Sequence, residues 1–376
     1  MFLTTFRSTT PINTNVAYTD LLTATLDTEN YVPEYYKQTF YIEHPKPVEE
    51  LPRNQQEQIL RARSGISVAS TILSSFTTNY EQQYREFSIP KASGGLRKIS
   101  APKEDFKHYL TMVKDLFKTH VKCLPNSAAY AYVENLSCKD AIKKHQKNKS
   151  KWFLKIDLSD FFPNCTEEFV YNQLLNLYPF YYFTNVNKNE LREVIKICCL
   201  HGSLPQGSPM SPLLTNLVMV SYDYTIKQYL KQYPDKHFCY TRYADDILIT
   251  SPINFDFKSL IKDLKQILTP FKIKDKKTRY GSIAGSNWNL GLMLNKDNQI
   301  TVGYEKKKIF NAMLNNFLRD FKNNIKWPRQ DVYILQGQLG YLKHIEPEYY
   351  EHIVNKYEDK YEINYKRALS ISLKID

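Results

Sequence analysis

Phe238-Cys239-Tyr240-Thr241-Arg242-Tyr243-Ala244-Asp245-Asp246-Ile247-Leu248-Ile249-Thr250-Ser251 is the stretch that decides the fold. Two short β-prone runs, Phe238 to Arg242 and Ile247 to Ser251, are joined by only four residues, so the chain must reverse in a tight hairpin. Asp245 and Asp246 sit side by side at that reversal, where their charges repel. A solvated Asp-Asp turn is one reading, because Asp is a common turn residue. The other is a neutralising cation, and hard divalent magnesium prefers carboxylate oxygens.

A second source of carboxylate lies upstream. Phe153-Leu154-Lys155-Ile156-Asp157-Leu158-Ser159-Asp160-Phe161-Phe162 reads as an apolar strand with Asp157 at its end. If that strand lies beside the hairpin, Asp157, Asp245 and Asp246 can hold two metals roughly 3.5 to 4 Å apart, the arrangement for in-line phosphoryl displacement. Between the two stretches runs Leu204-Pro205-Gln206-Gly207-Ser208-Pro209-Met210-Ser211-Pro212, leading into a helix.

An Asp strand, a Pro-Gln-Gly segment and a Tyr-Ala-Asp-Asp hairpin in this order resemble the palm of bacterial reverse transcriptases of the retron and group II intron-like lineage, over about Tyr84 to Tyr361. A given tetrad arises by chance in roughly two chains per thousand of this length at average residue usage, and three ordered elements far less often. The resemblance implies an α+β, right-hand polymerase fold with fingers, a palm of antiparallel sheet plus helices, and a short helical thumb. It implies an RNA-directed DNA polymerase working through two Mg2+ ions, with Mn2+ as a substitute.

Residue by residue, the resemblance implies Asp157, Asp245 and Asp246 as the catalytic, metal-binding triad, with Leu158 beside them. Phe162, five residues after Asp157, matches the bulky residue that excludes a ribose 2′-hydroxyl, and Asp160 and Phe161 line the same pocket; core packing is an equal reading for Phe161. Gln206 looks like the contact to the incoming nucleotide and template base, with Gly207 giving close backbone approach. Lys91 and Arg97 resemble the fingers residues that hold the triphosphate, because phosphate oxygens suit a guanidinium fork and a mobile ammonium. Lys98 could take over either role. Lys277 resembles the lysine near the pyrophosphate, a candidate general acid, with ordinary surface charge as the competing reading. Gly291 and Leu292 sit where the family places its primer grip, and the helix from Lys306 would start the thumb.

Charge points the same way. The 376 residues carry 51 Lys and Arg against 39 Asp and Glu, a net charge of +12, as suits a polyanion partner. From Lys91 to Lys155 there are fifteen basic and five acidic residues, so +10 of the total falls in one block. A phosphate-binding surface needs such an excess of one sign, whereas a solvated surface mixes both. Lys139, Lys143, Lys144, Lys147 and Lys149, with the N-terminal extension, are the expected RNA-binding set. Tyr and Phe number 49, and rings interleaved with Lys can stack on unpaired bases, although most are core by ordinary burial.

Residues 1–55 read as an N-terminal extension, 56–155 as fingers with the basic block, 156–295 as palm interleaved with fingers around 163–200, and 296–376 as thumb and C-terminal helices. Helices are expected over Gln55–Arg63, Ala69–Tyr84, Phe169–Leu177, Leu191–Leu200, Pro212–Leu230, Phe257–Leu268 and Lys306–Phe321. A basic-tipped β-hairpin is expected around Lys91 to Gly95, and a strand over Asn287–Leu294. Six cysteines lack repeated two-residue spacing and a His cluster, which disfavours a zinc ribbon or disulfide framework and suits a reducing cytosol. No secretory signal and no run of eighteen apolar residues is present, so neither export nor a membrane span is expected.

The short segment after the thumb suggests polymerisation alone, without a ribonuclease H or homing endonuclease module. Retron enzymes typically carry Asn-Ala-x-x-His before the Asp strand and Val-Thr-Gly later. Here the stretches read Asp140-Ala141-Ile142-Lys143-Lys144-His145 and Asn289-Leu290-Gly291. A defence-associated enzyme copying a cognate structured non-coding RNA into DNA is therefore the first expectation, and a retron enzyme making branched RNA-DNA the second. A catalytically silent RNA-binding scaffold is disfavoured because it needs no mutually repelling acids. Expected partners are the RNA template, the DNA product and dNTPs, with a second copy of the chain or an accessory defence protein as further candidates.

Overall fold

The computed structural model describes residues 46–90, 94–122, 125–283 and 291–374, which leaves Lys91, most of the N-terminal extension and residues 284–290 outside. The described residues form two compact units, each from three separate stretches, within 46–132, 159–228 and 266–272 in the first and within 133–158, 229–265 and 273–374 in the second.

In the first unit one continuous helix spans Arg53–Leu73, where the sequence suggested two. Ile59, Ala62, Ile66, Ala69 and Leu73 form its buried stripe at helical spacing. Gly65 looks like a breaker but serves packing, since a Cβ there would lie 2.7 Å from His120 Cβ. Downstream of Leu73 the chain passes through short 3-10 turns, Ser74–Phe76 and Tyr80–Gln83, instead of the expected second helix. Strands β1 (Tyr84–Pro90) and β2 (Leu96–Pro102) then pair antiparallel as the expected hairpin, from Tyr84 opposite Pro102 to Pro90 opposite Leu96. Helices Glu167–Leu175 and Asn185–Cys198 start on Thr166 and Thr184, whose hydroxyls accept from the N–H groups of Phe169 and Asn187. The helix expected over Pro212–Leu230 is two, Ser211–Val218 and Val220–Lys231. No proline or glycine marks the break at Met219, so no sequence signal announces it.

The second unit is built on a four-stranded antiparallel sheet. Its strands are β3 (Trp152–Asp157), β4 (Cys239–Tyr243), β5 (Asp246–Ser251) and β6 (Arg279–Ser282), in spatial order β4-β5-β3-β6. Helix Cys138–Lys147 opens with a capping box, Ser137 and Asp140 each bonding the other's backbone N–H, and packs against β4. A short pair, β7 (Met293–Leu294) and β8 (Ile300–Thr301), precedes helices Tyr304–Lys322, Arg329–Ile345, Pro347–Tyr361 and Tyr365–Lys374. Phe153 and Leu248 from the sheet join Leu314, Phe317, Leu339 and Ile353 from these helices in one buried cluster. Among the described residues, no helix is long and apolar enough to cross a membrane.

His145 is fully buried in this unit. Its Nδ1 lies 2.7 Å from Thr250 Oγ1 and its Nε2 2.8 Å from Thr241 Oγ1, which ties the helix to β4 and β5. Burial pushes the imidazole pKa down to about 3, with a smaller contribution from Lys144. The folded value lies below the unfolded one, so below pH 6.5 the unfolded chain takes up a proton that the folded chain refuses. Stability should therefore fall as pH drops from 6.5 toward 3, at up to about 1.4 kcal/mol per pH unit from this group alone. Urea midpoints of native protein and His145→Gln across pH 7.5 to 5 measure it: the variant starts less stable but should show the shallower acid slope, and parallel slopes would exclude His145 as the source.

Candidate active site

Strands β4 and β5 are joined by two residues rather than four, because Tyr243 and Asp246 pair and leave Ala244-Asp245 as the whole turn. Ala244 has φ +56, a left-handed conformation that costs an alanine roughly 1–2 kcal/mol. Two contacts hold it there. The fully buried Arg242 donates from Nη1 to the Ala244 carbonyl at 3.2 Å, and the Leu158 N–H donates to the Asp245 carbonyl at 3.1 Å.

Register brings the acids together. β3 pairs with β5 from Trp152 opposite Ser251 to Asp157 opposite Asp246, so these two carboxylates face each other across the ladder. Burial raises the pKa of Asp245, and the charges of Asp246 and Asp157 raise it further. Burial likewise raises Asp246, against the opposing pull of Lys155.

Three lysines answer two of the three acids, Asp157 and Asp246. Lys274 Nζ lies 2.6 Å from Asp157 Oδ1, Lys277 Nζ 3.2 Å from Asp157 Oδ2, and Lys155 Nζ 3.2 Å from Asp246 Oδ1. Lys274 also donates to the Leu158 carbonyl at 2.9 Å, and its own N–H bonds the Asp157 carbonyl at 2.9 Å, which fastens the 273–278 loop to the end of β3. The contacts to Asp157 Oδ1 and Asp246 Oδ1 are ion pairs without hydrogen-bond geometry, and both buried oxygens accept no hydrogen bond. The expected trio is thus assembled on neighbouring strands, yet among the described residues no three acidic, His or Cys side chains converge as metal ligands. Lysines stand against oxygens of Asp157 and Asp246 that a metal would need. Buried anionic oxygens lacking a hydrogen bond are nevertheless the donor chemistry that suits a hard divalent cation.

Lys155, Lys274 and Arg242 escaped the sequence reading. Lys155 was within reach, since two residues before Asp157 on a strand means the same face. Its opposite residue is Leu248, so Asp246 is its diagonal neighbour. Nothing singles out Lys274 within the basic run from Lys272 to Lys277, nor Arg242 within an otherwise buried strand.

Apart from Lys277, and with Lys91 outside the described residues, the expected nucleotide-pocket residues belong to the first unit. Asp160 is exposed with φ +46 and precedes the helical turn Phe161–Asn164. Phe161 is buried against Phe271, with ring centroids 5.5 Å apart, whereas Phe162 is only half-buried. Core packing therefore accounts for Phe161. Arg97 is exposed on β2, and Lys98 pairs with Glu86 at 2.9 Å. The Gln206 carbonyl accepts from the Ser100 N–H at 2.9 Å, which docks the Pro-Gln-Gly loop on β2. Gly207 has φ +131, and a Cβ there would lie 2.9 Å from the Ser100 carbonyl oxygen.

In the second unit, Gly291 has φ +80 and accepts from Lys306 Nζ at 3.2 Å, while Leu292 is fully buried in the helical core. Of the expected RNA-binding lysines, Lys139 donates to the His344 carbonyl and Lys143 pairs with Asp140 at 3.0 Å. Lys147 and Lys149 are exposed and Lys144 is half-buried.

Comparison with known proteins agrees with this geometry. Residues 89–304 match the family model for reverse transcriptase (RNA-dependent DNA polymerase). Among curated proteins, the chain is 31% identical to the retron Ec73 reverse transcriptase of Escherichia coli, over 73% of this chain and 86% of that one. It is 28% identical to the retron Ec83 enzyme of the same organism, over 73% and 86%, and 26% identical to the retron Mx65 enzyme of Myxococcus xanthus, over 81% and 72%. Retron enzymes, the second expectation on the two divergent motifs, are thus among the relatives found.

Replacing Gly207 with Ala should push the Pro-Gln-Gly loop off β2, at about 1–3 kcal/mol of stability, and raise KM for dNTPs. Thermal unfolding and steady-state incorporation read the two effects. An Ala variant with native melting and native KM would show that the close approach to Ser100 has no role.

Proposed function

The chain belongs to the reverse transcriptases, and from that premise we propose that it copies a cognate structured non-coding RNA into DNA by two-metal nucleotidyl transfer, in antiviral defence. RNA-directed DNA polymerisation is its activity, as in the retron relatives. The cross-strand pairing of Asp157 with Asp246, beside the turn that carries Asp245, supports the metal reading most directly.

Divalent metal ions are general to these polymerases, and here Asp157, Asp245, Asp246 and the Leu158 carbonyl would hold two Mg2+ ions, which when bound activate the primer 3′-hydroxyl and neutralise the leaving pyrophosphate. The chain's own groups do the rest. In this reading Gln206 contacts the incoming nucleotide on a loop anchored by the Ser100 N–H, and Arg97 meets the triphosphate from the exposed face of β2. Lys277, 3.2 Å from Asp157, would give a proton to the departing pyrophosphate oxygen once released from that pair. Phe162, half-buried where Phe161 is committed to the core, is the side chain free to exclude a 2′-hydroxyl.

Similarity to two retron reverse transcriptases keeps the second expectation, a branched RNA-DNA product, beside the first. Lys147, the last residue of the helix Cys138–Lys147, and Lys149, just beyond it, are the exposed candidates of the set for RNA contact.

Asp245→Asn and Asp246→Asn should each lower dNTP incorporation on an RNA template by at least about 10^3-fold, on the scale of losing charge stabilisation at a reacting phosphate, with melting and circular dichroism near native. Sequencing the nucleic acids that co-purify should recover one RNA and its complementary DNA, the DNA vanishing in the variants. Incorporation that survives both changes would end the metal assignment. For the gate, Phe162→Ala should admit ribonucleotides, raising their kcat/KM relative to dNTPs by about 10- to 100-fold; equal use of both sugars by native enzyme would remove Phe162 from that role.

A further inference from the structure

Lys155 and Lys274 have no part in the polymerase chemistry as assigned, yet with Lys277 they occupy its acids. Three carboxylates and three ammonium groups share one corner of the sheet, with the ammonium groups set against Asp157 and Asp246. The acids are fixed and the cations are not. Side chains of Asp157 and Asp246 are 12% and 15% exposed, at strand ends, whereas Lys155, Lys274 and Lys277 are 22%, 32% and 55% exposed. A lysine stem can withdraw its head into water, while a carboxylate on a paired strand has nowhere to go.

The same oxygens cannot serve both partners. A magnesium ion binds oxygen at about 2.0–2.1 Å with near-octahedral demands, and an ammonium 2.6 Å from Asp157 Oδ1 already stands in that approach. Both Asp157 oxygens and one of Asp246 are covered in this way. Metal and lysine therefore compete for the same lone pairs.

We propose that Lys155, Lys274 and Lys277 are resident counter-ions of the metal ligands: they neutralise the acids in the metal-free protein and are displaced when divalent ions enter, so that they set the affinity for metal. This rests on the two-metal reading above. Without the lysines, desolvated like charges would face each other at the β3–β5 register and destabilise the hairpin. With them the metal-free fold is held, at the expense of tight metal binding. Removal of one lysine should thus move two observables in opposite directions, which a purely structural lysine would not do.

The test uses the full chain and Mn2+ as probe, with free Mn2+ followed by electron paramagnetic resonance in the absence of nucleotide and nucleic acid, and with thermal unfolding in chelator. Lys155→Met and Lys274→Met should each tighten Mn2+ binding by roughly three- to tenfold while lowering the metal-free melting temperature. Lys155→Arg, which keeps the charge, should restore both values toward native. If Lys155→Met does not fold, Lys274→Met, at the more exposed position, carries the test. Native protein that binds Mn2+ while the Met variants bind it equally or more weakly would overturn the counter-ion role and leave the metal site standing. Native protein that binds no Mn2+, indistinguishable from Asp245→Asn, would overturn both.

Discussion

The β3–β5 ladder sets the terms for the rest of the second unit by placing Asp157 opposite Asp246 in a partly dehydrated position. Opposed carboxylates are unfavourable in a sheet, and burial sharpens their repulsion. Neighbouring structure answers that problem. Lys155 reaches Asp246 from the same strand face, the loop after Phe271 brings Lys274 and Lys277 to Asp157, and backbone bonds from Lys274 and Leu158 fix that loop and the Ala244-Asp245 turn. Because strand side chains alternate with period two, a slip of one residue in β5 would carry Asp246 to the other face and leave Lys155 without its partner.

The turn itself shows how a local preference is overruled. Alanine is a poor choice for a left-handed residue, and a two-residue hairpin would ordinarily favour Gly, Asn or Asp there. Ala244 holds φ +56 because Arg242 beneath it and Leu158 beside it fix the carbonyls on both sides of Asp245's peptide unit. Strain at this position is compensated by the packed sheet, the pattern expected where a side chain must be aimed. In the first unit a comparable constraint falls on Gly207, whose bare Cα lets the Pro-Gln-Gly loop lie on the Ser100 carbonyl.

Much of the site was legible because its chemistry is carried by rare local patterns. The Asp-ended strand, the Pro-Gln-Gly segment and the Asp-Asp hairpin are each short, and their order along the chain is unambiguous. Strand content, the helix after Pro212 and the amphipathic helices that follow came from periodicity and turn residues. Illegible features depended on partners distant in sequence. Gly65 reads as a break until His120 is found against it, and Phe161 and Phe162 are indistinguishable until Phe271 covers one of them. Lys139 and Lys143 look like free basic surface until a helix carbonyl and Asp140 take them up.

Residue order alone pointed to the class of polymerase and its three candidate acids through the resemblance of short ordered motifs, and to the hairpin through period-two alternation within a few residues. Tertiary structure decided which cations face the acids, that the turn has two residues rather than four, and which phenylalanine belongs to the core. Ion pairing and burial are set by distances in space, and nothing in the spacing of Lys155 and Lys274, 119 positions apart by subtraction of their numbers, says that both end beside the same carboxylate pair.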